Sequence, residues 1–323
     1  MRKLRYRNLA GFYRQLFGQR VHKVGLRGGF ECPNRDGTLS RKGCVFCNPE
    51  AALPPNSRPE TSITEQLKAG TAYVRDRFGA ALFIAYLQDY TATYADPDRL
   101  EALCLEAIDY PGVVGLSLGT RPDCLPSGIL RVLKRLADAT FLEVELGVQT
   151  ASDHSLSLIR RGHDSSASRR ALRELAAAGV RTSAHVILGI PGESSKDQFE
   201  TAALLRRSGA GGVKIHNLHV VRGTELETLH RKGLVAPPTL KDYCGMVVRF
   251  LEQLPPEMVV SRLVGDAPRR MLLAPEWALR KHKAISAIRQ LLKERDSWQG
   301  KALGTPLEAV SRPLVFARRP RRS

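Results

Sequence analysis

The chain has 323 residues, 43% of them hydrophobic and 25% charged, which suits one large α/β domain or two small ones. It holds no apolar run of about 18 residues and no apolar segment behind its basic start, so neither a membrane span nor a secretory leader is expected, and the cytoplasmic compartment is implied. The net charge of +18, part of it in the tail Arg318–Arg322, attracts polyanions and admits RNA as substrate or partner, although arginine abundant throughout gives a purely compositional explanation.

Leu4, Tyr6, Leu9, Phe12, Tyr13, Leu16 and Phe17 recur at helical spacing, which predicts a helix within residues 1–20 packed on the main domain. Val21–Arg27 alternates apolar and polar residues and reads as a strand. Phe30–Asn48 follows, with Cys32, Cys44 and Cys47 spaced C-x11-C-x2-C. Pro33, Asn34, Asp36, Gly37 and Gly43 are turn formers, so this stretch is a loop. Where thiols stay reduced, clustered cysteines read as metal ligands. A structural zinc is closed by four ligands, and an iron–sulfur cluster usually takes four cysteines. Three cysteines on a four-iron cluster leave one iron open to a substrate. A zinc knuckle completed by His22 or another side chain is the rival. Cys104, Cys124 and Cys244 sit apart and read as small hydrophobes.

A helix is expected over 61–78, capped by Thr61 or Ser62, with Glu65 completing a capping box. Ala81–Leu87 is a short apolar run, a buried strand, and Asp96 with Pro97 starts a helix to Ile108. The alternation repeats, with strands over Val113–Leu118, Phe141–Val148, Val180–Leu188 and Gly212–Leu218. Helices intervene over Pro126–Ala137, Ser165–Ala178 and Glu193–Ser208. Six strand-then-helix units in about 200 residues argue a parallel sheet with right-handed crossovers, curled into a partial (β/α)6 barrel. An open doubly wound sheet competes. Beyond residue 220 helices are expected over Thr239–Leu254 and Glu276–Lys293, with Met258–Leu263 a strand between them. The last 25 residues are rich in Gly, Pro and Arg and are expected to be mobile. The expected division is a helical extension at 1–20, a core at 21–220 and an extension at 221–323 that covers barrel or substrate.

In parallel α/β folds ligands bind at the carboxyl ends of strands. There the sequence offers Gln88, Asp89 and Thr91, then Thr120, Arg121 and Asp123, then Gln149. Glu143 and Glu145 share one face of the fourth strand. Facing inward, against the apolar rule for barrel interiors, they mark a site; facing outward they border a helix. Arg121 suits a bidentate grip on a carboxylate or phosphate, or a pair with Asp123. Gly189 and Gly192 flank a tight turn suited to close backbone approach to a ligand. Lys214 and His216 share a face of the sixth strand, with His219 beyond. These histidines read first as core or loop residues and second as proton carriers.

The cysteine loop with its context Gly28–Thr38, and the stretches Leu146–Thr150, Arg160–Asp164 and Ile187–Glu193, resemble the radical SAM superfamily. The likeness is greatest to its YhcC-like group, related to the Elongator catalytic-subunit and coproporphyrinogen-dehydrogenase branch. The long first cysteine gap resembles that branch. Two departures stand out: the second strand lacks the glycine pair of many members, and Gly119 stands where the Elongator branch often has glutamate. The resemblance implies a partial (β/α)6 barrel of radical SAM type with a C-terminal helical extension. It implies a [4Fe-4S] cluster on Cys32, Cys44 and Cys47, and S-adenosyl-L-methionine (SAM) on the open iron. Arg161 matches the arginine that meets the methionine carboxylate, and Gln149 a glutamine that touches the cofactor. Gly189 lies in the adenine-side motif, and His185 stands where some relatives have an acidic ribose contact. Gln88, Asp89 and Thr120 are the remaining expected contacts. The implied activity is reductive cleavage of SAM to a 5′-deoxyadenosyl radical that abstracts hydrogen from an unidentified substrate, RNA among the possibilities. The electron donor would be a partner such as a flavodoxin system. Two rivals stand beside it: a zinc-stabilised RNA-binding protein without radical chemistry, and a barrel hydrolase or aldolase, whose phosphate-binding glycine motif is missing near the last strands.

Overall fold

The computed structural model describes residues 4–53 and 61–314. Asn8 accepts from Gly11 N to start α1 (Leu9–Phe17), and Gly18, in the left-handed region, ends it. β1 (Val21–Leu26) runs into the cysteine loop, which closes on the one-turn helix α2 (Pro49–Ala52). The expected capping box forms: Ser62 and Glu65 bond reciprocally at the start of α3 (Ile63–Phe78). Then come β2 (Leu82–Leu87), α4 (Pro97–Ile108), β3 (Val113–Thr120), α5 (Ser127–Ala139) and β4 (Phe141–Gln149). Asp96 caps α4 as its position before Pro97 predicts. α6 (Asp153–Leu158), α7 (Ser165–Ala177), β5 (Arg181–Leu188), α8 (Ser195–Arg207) and β6 (Gly212–Asn217) complete the repeat. The remainder adds β7 (Val220–Val221), α9 (Glu225–Arg231), α10 (Leu240–Glu252), β8 (Val259–Arg262), β9 (Leu272–Ala274) and α11 (Lys281–Glu294).

The strands of the main sheet are all parallel in the order β1-β2-β3-β4-β5-β6-β8. A doubly wound sheet reverses its strand order at a switch point. Here the order never reverses, so the sheet winds one way into a half-barrel. The count of six is corrected to seven: β8, from beyond residue 220, pairs with β6 in parallel. The helices bury apolar stripes on the outer face, such as Ile129, Val132, Leu133 and Leu136 of α5.

α1 plugs the amino-terminal end of the half-barrel. Phe12 and Tyr13 pack with Ile84, Phe141 and Val259, and Phe141 meets the rings of Phe12, Tyr13 and Phe17 at 5.7–6.2 Å. The far edge of the sheet is covered too: Val260 N donates to Arg7 O, and the Arg7 guanidinium donates to the carbonyls of Pro256, Ala309 and Arg312. That corrects the expectation of a mobile end over its first part. Residues 299–314 pack here, with Gln299 and Val310 buried; Arg318–Arg322 lies outside the described residues. Among the described residues no helix is long and apolar enough to cross a membrane.

Candidate functional site

Alternation along the strands decides what faces the lumen. Register aligns Gly25 with Tyr86, Tyr86 with Ser117, Ser117 with Glu143 and Gly119 with Glu145. It continues through Arg181, Ser183 and His185 to Lys214 and Arg262. Glu143 and Glu145 therefore face inward, buried to 0% and 2% exposure. Lys23 Nζ donates to Glu143 Oε2 at 2.9 Å and to Glu145 Oε1 at 2.5 Å. Glu145 Oε2 accepts from Tyr86 OH, His185 Nε2 and Lys214 Nζ, each at 2.6 Å. Burial pushes the Glu145 carboxyl up, but Lys214 and Lys23, with His185, outweigh it and hold it well below the usual range. His185 is pushed down to about 4 by burial and Lys214, so its neutral ring donates to Glu145. Its side chain is thus engaged inside the lumen.

The cysteine loop lies over the carboxyl end of this lumen. Its entry, Gly28–Phe30, is clamped from two sides. Asp89 accepts the N–H groups of Gly28, Gly29 and Phe30 at 3.0, 2.9 and 3.3 Å. Arg99 Nη2 donates to Gly28 O at 2.6 Å. Asp89 was expected to touch the cofactor; both its oxygens serve the loop. Gln88, beside it, is half-buried, and its N–H donates to Leu26 O at 3.4 Å. Thr120 is buried with its hydroxyl on that of Thr93.

Around the thiols the donors are unusually many. Asn34 Nδ2 lies 3.3 Å from Cys44 Sγ, and Arg161 Nη1 lies 3.6 Å from it. Arg161 Nη2 donates to Gly147 O at 2.9 Å. A Cβ on Gly147 would stand 2.4 Å from that nitrogen, so a larger residue would displace the end of the guanidinium. Arg121 forks onto Asp123 at 2.9 and 2.8 Å and donates to Arg161 O. Yet Arg161 Nε, Arg121 Nη1 and His163 Nε2 are buried without a partner. Buried polar atoms of this kind call for a ligand. Burial, with Cys44 alongside, pushes the Cys47 thiol up to about 11, while Arg35 and Arg161 pull it back. Gln149 ends β4 with φ +67, a left-handed conformation that costs a residue with a side chain about 1–3 kcal/mol and that clusters at functional sites. Gly189 has φ +91, and a Cβ there would stand 2.8 Å from Pro238.

Among the described residues no three His, Cys, Asp or Glu side chains meet closely enough to grip one metal ion. A lone zinc needs sulfurs about 2.3 Å from a single point. A four-iron cluster spreads its cysteine-bound irons over separate corners and carries net negative charge with its thiolates, and Arg35, Arg121 and Arg161 supply the cationic surroundings that suit such a group. His22 is at the other end of β1, stacked on Phe78 at 4.3 Å, and cannot complete a zinc site with this loop. Cys104, Cys124 and Cys244 are all buried and free. Sequence reasoning missed Lys23, Tyr86 and Asn34 as parts of the site. Lys23 and Tyr86 carry a signal in hindsight, being polar at the inward positions of otherwise apolar strands.

The comparisons with known proteins agree with this geometry. The Radical SAM superfamily profile matches residues 37–205, and the Radical SAM C-terminal domain profile matches residues 210–294. The chain is 37% identical over 291 residues to Protein YhcC of Escherichia coli, covering 90% of this chain and 93% of that one. It is 35% identical over 297 residues to the uncharacterized protein YtqA of Bacillus subtilis, covering 92% of each. An N-terminally truncated Elp3 of the archaeon Methanocaldococcus infernus superposes with a TM-score of 0.65 at 17% identity, over 86% of this chain and 64% of that one, which shows the shared fold. Neither profile nor relative supports the zinc-stabilised RNA-binding alternative. With an uninterrupted half-barrel, a three-cysteine loop over its mouth and relatives matched along nine-tenths of their length, the chain belongs to the radical SAM superfamily, in the company of YhcC and YtqA.

Proposed function

We propose that the protein is a radical SAM enzyme whose cluster is held by Cys32, Cys44 and Cys47 and whose substrate enters the lumen beneath. The observation that carries this reading is the pair of unpartnered guanidinium donors on the two arginines by the thiols, Arg161 Nε and Arg121 Nη1, with the unpartnered ring nitrogen His163 Nε2 near them. A reduced [4Fe-4S] cluster, when bound, supplies the electron that splits SAM into methionine and a 5′-deoxyadenosyl radical, which takes a hydrogen atom from the substrate. The chain's own residues bind and orient. Asn34 and Arg161 donate toward Cys44 Sγ and orient it. In this reading Arg161 grips the methionine carboxylate, Gln149 and Thr120 are further cofactor contacts, and the turn at Gly189 offers its backbone to an adenine. His185, through Glu145, and Asp89, through the loop, act as positioning residues in this reading. The electron comes from a partner of the flavodoxin kind in the cytoplasm. The net charge of +18 is the feature that favours RNA as the substrate.

The test is iron and sulfide content with an absorption spectrum on protein reconstituted without oxygen, wild type against Cys44→Ala. Four irons per chain as [4Fe-4S], a broad band bleached by dithionite, and methionine released from added SAM are expected, all lost in Cys44→Ala. Zinc in place of iron, or a spectrum indifferent to Cys44, would overturn the proposal.

A further inference from the structure

The lumen carries more positive charge than its own carboxylates balance. Lys23, Arg181, Lys214 and Arg262 face it by register, against Glu143 and Glu145. Lys23 bridges both carboxylates, and Arg181 Nε adds to Glu143 at 3.3 Å. The excess therefore collects on the β6–β8 side. There Lys214 reaches Glu145 at 2.6 Å, and Arg262 has a rim partner, Asp266, at 3.4 Å. His216, two residues beyond Lys214 on the same face of β6, has Nε2 buried and unpartnered, its ring 5.3 Å from that of His185. Asn217 Oδ1 fixes the neighbouring loop through Gly265 N at 3.0 Å, and an added Cβ on Gly265 would touch His216 Nδ1 and His219 Nδ1 at 3.2 and 3.4 Å. The side chains of Arg262 and His185 keep 29% and 21% exposure, so this side of the lumen opens to solvent.

Uncompensated buried charge is expensive, and so is a buried polar atom without a partner. One anionic group placed among Lys214, His216 and Arg262 removes both penalties. We propose that the β6–β8 side of the lumen is an anion subsite that holds a carboxylate or phosphate group of the substrate, with Lys214, His216 and Arg262 as its ligands. As a substrate subsite it rests on the reading that the substrate enters the lumen; as an anion site it stands on the geometry alone. Burial, joined by Arg262 and Lys23, outweighs the pull of Glu145 and pushes Lys214 down to about 8. Burial, Arg262, His185 and Lys214 push His216 well down. Burial is the larger cause in both, and the neighbouring cations act in the same direction. Glu145 then acts in a second way. It fixes the Lys214 ammonium, which also donates to Tyr86 OH at 3.3 Å, and leaves its third N–H for the anion.

The test needs neither iron nor SAM. Inorganic phosphate and acetate are titrated separately into the full chain at constant ionic strength, and the histidine imidazole nitrogens are followed by NMR, with His216→Gln giving the assignment. A saturable shift of the His216 signals is expected with at least one anion. Saturation by phosphate alone assigns a phosphate-bearing substrate, and saturation by acetate a carboxylate-bearing one. Arg262→Met, at the open rim, is expected to weaken binding by about tenfold or more, the loss of one charge-assisted hydrogen bond. Lys214→Met is expected to do the same, and where it unfolds the chain Arg262→Met carries the test. No saturable shift with either anion, or unchanged binding in Arg262→Met, would overturn the subsite. Because methionine release from SAM is measured separately, the subsite and the radical reading fail independently.

Discussion

Asp89→Ala tests whether one carboxylate holds the cysteine loop in place. Asp89 accepts three N–H groups, of which those of Gly28 and Phe30 are in buried residues and that of Gly29 in an exposed one. Removing the side chain strands two donors while the third turns to water. At about 1–3 kcal/mol for each stranded donor, the gross loss is about 2–6 kcal/mol. Part of this is offset. Burial raises the Asp89 carboxyl above its ordinary value despite the three N–H groups, so the native charge is itself held against a penalty that alanine relieves. The lower part of the range, about 2–3 kcal/mol, is therefore expected. Arg99 still grips Gly28 O at 2.6 Å, so the loss should appear as local opening rather than global unfolding. Amide hydrogen exchange at Gly28–Phe30 should accelerate by about 30-fold or more. Urea unfolding should change less, and iron retained after anaerobic reconstitution should fall. Asp89→Asn keeps the shape but presents an NH2 to a donor, and should lie between. Unchanged exchange in Asp89→Ala would refute the argument.

Glu145→Gln leaves Lys23 and Lys214 facing each other without their shared counter-ion, and urea unfolding at pH 7 should show a loss of about 3–5 kcal/mol. Because Lys214 and Lys23 overcome burial and hold the folded carboxyl well below its unfolded value near 4.5, the wild-type contribution is complete above that pH and fades as pH falls through the folded value, a fall that Glu145→Gln should lack. Gly147→Ala places a Cβ 2.4 Å from Arg161 Nη2 and should lower stability by about 1–3 kcal/mol, with iron content reduced as Arg161 leaves Cys44, measured by urea unfolding and iron assay. Phe141→Ala opens the plug beneath the lumen, where three rings of α1 lose their partner, and should cost about 3–5 kcal/mol in urea unfolding.

The repeat was legible because each unit obeys local rules that tertiary context did not overturn. Ser62 with Glu65 and Asp96 with Pro97 announce their helices, and both caps form as read. The apolar run before Gln88 becomes β2, buried from Phe83 onward. β8 was legible as a strand but not as the seventh of the same sheet, since pairing with β6 across about 40 residues has no local signature. The site divides along the same line. Cys32, Cys44 and Cys47 identify themselves by residue type and spacing. The alternation of Glu143 with Glu145 showed that they share a face, but only the curl of the sheet decides which face is inside. Asp89 shows the limit more sharply. Its position at a strand end marks it as belonging to the site, while its work, holding three amides of a loop about 60 residues earlier, depends on contacts that no spacing encodes. His185 follows the same pattern, placed by its strand and engaged by Glu145 across the lumen. Local chemistry therefore tells which residues this fold brings to its mouth, and the closure of the sheet decides which of them face a ligand and which face one another. That is why the anion subsite, built from three strand residues with no common motif, becomes visible only once the half-barrel is formed.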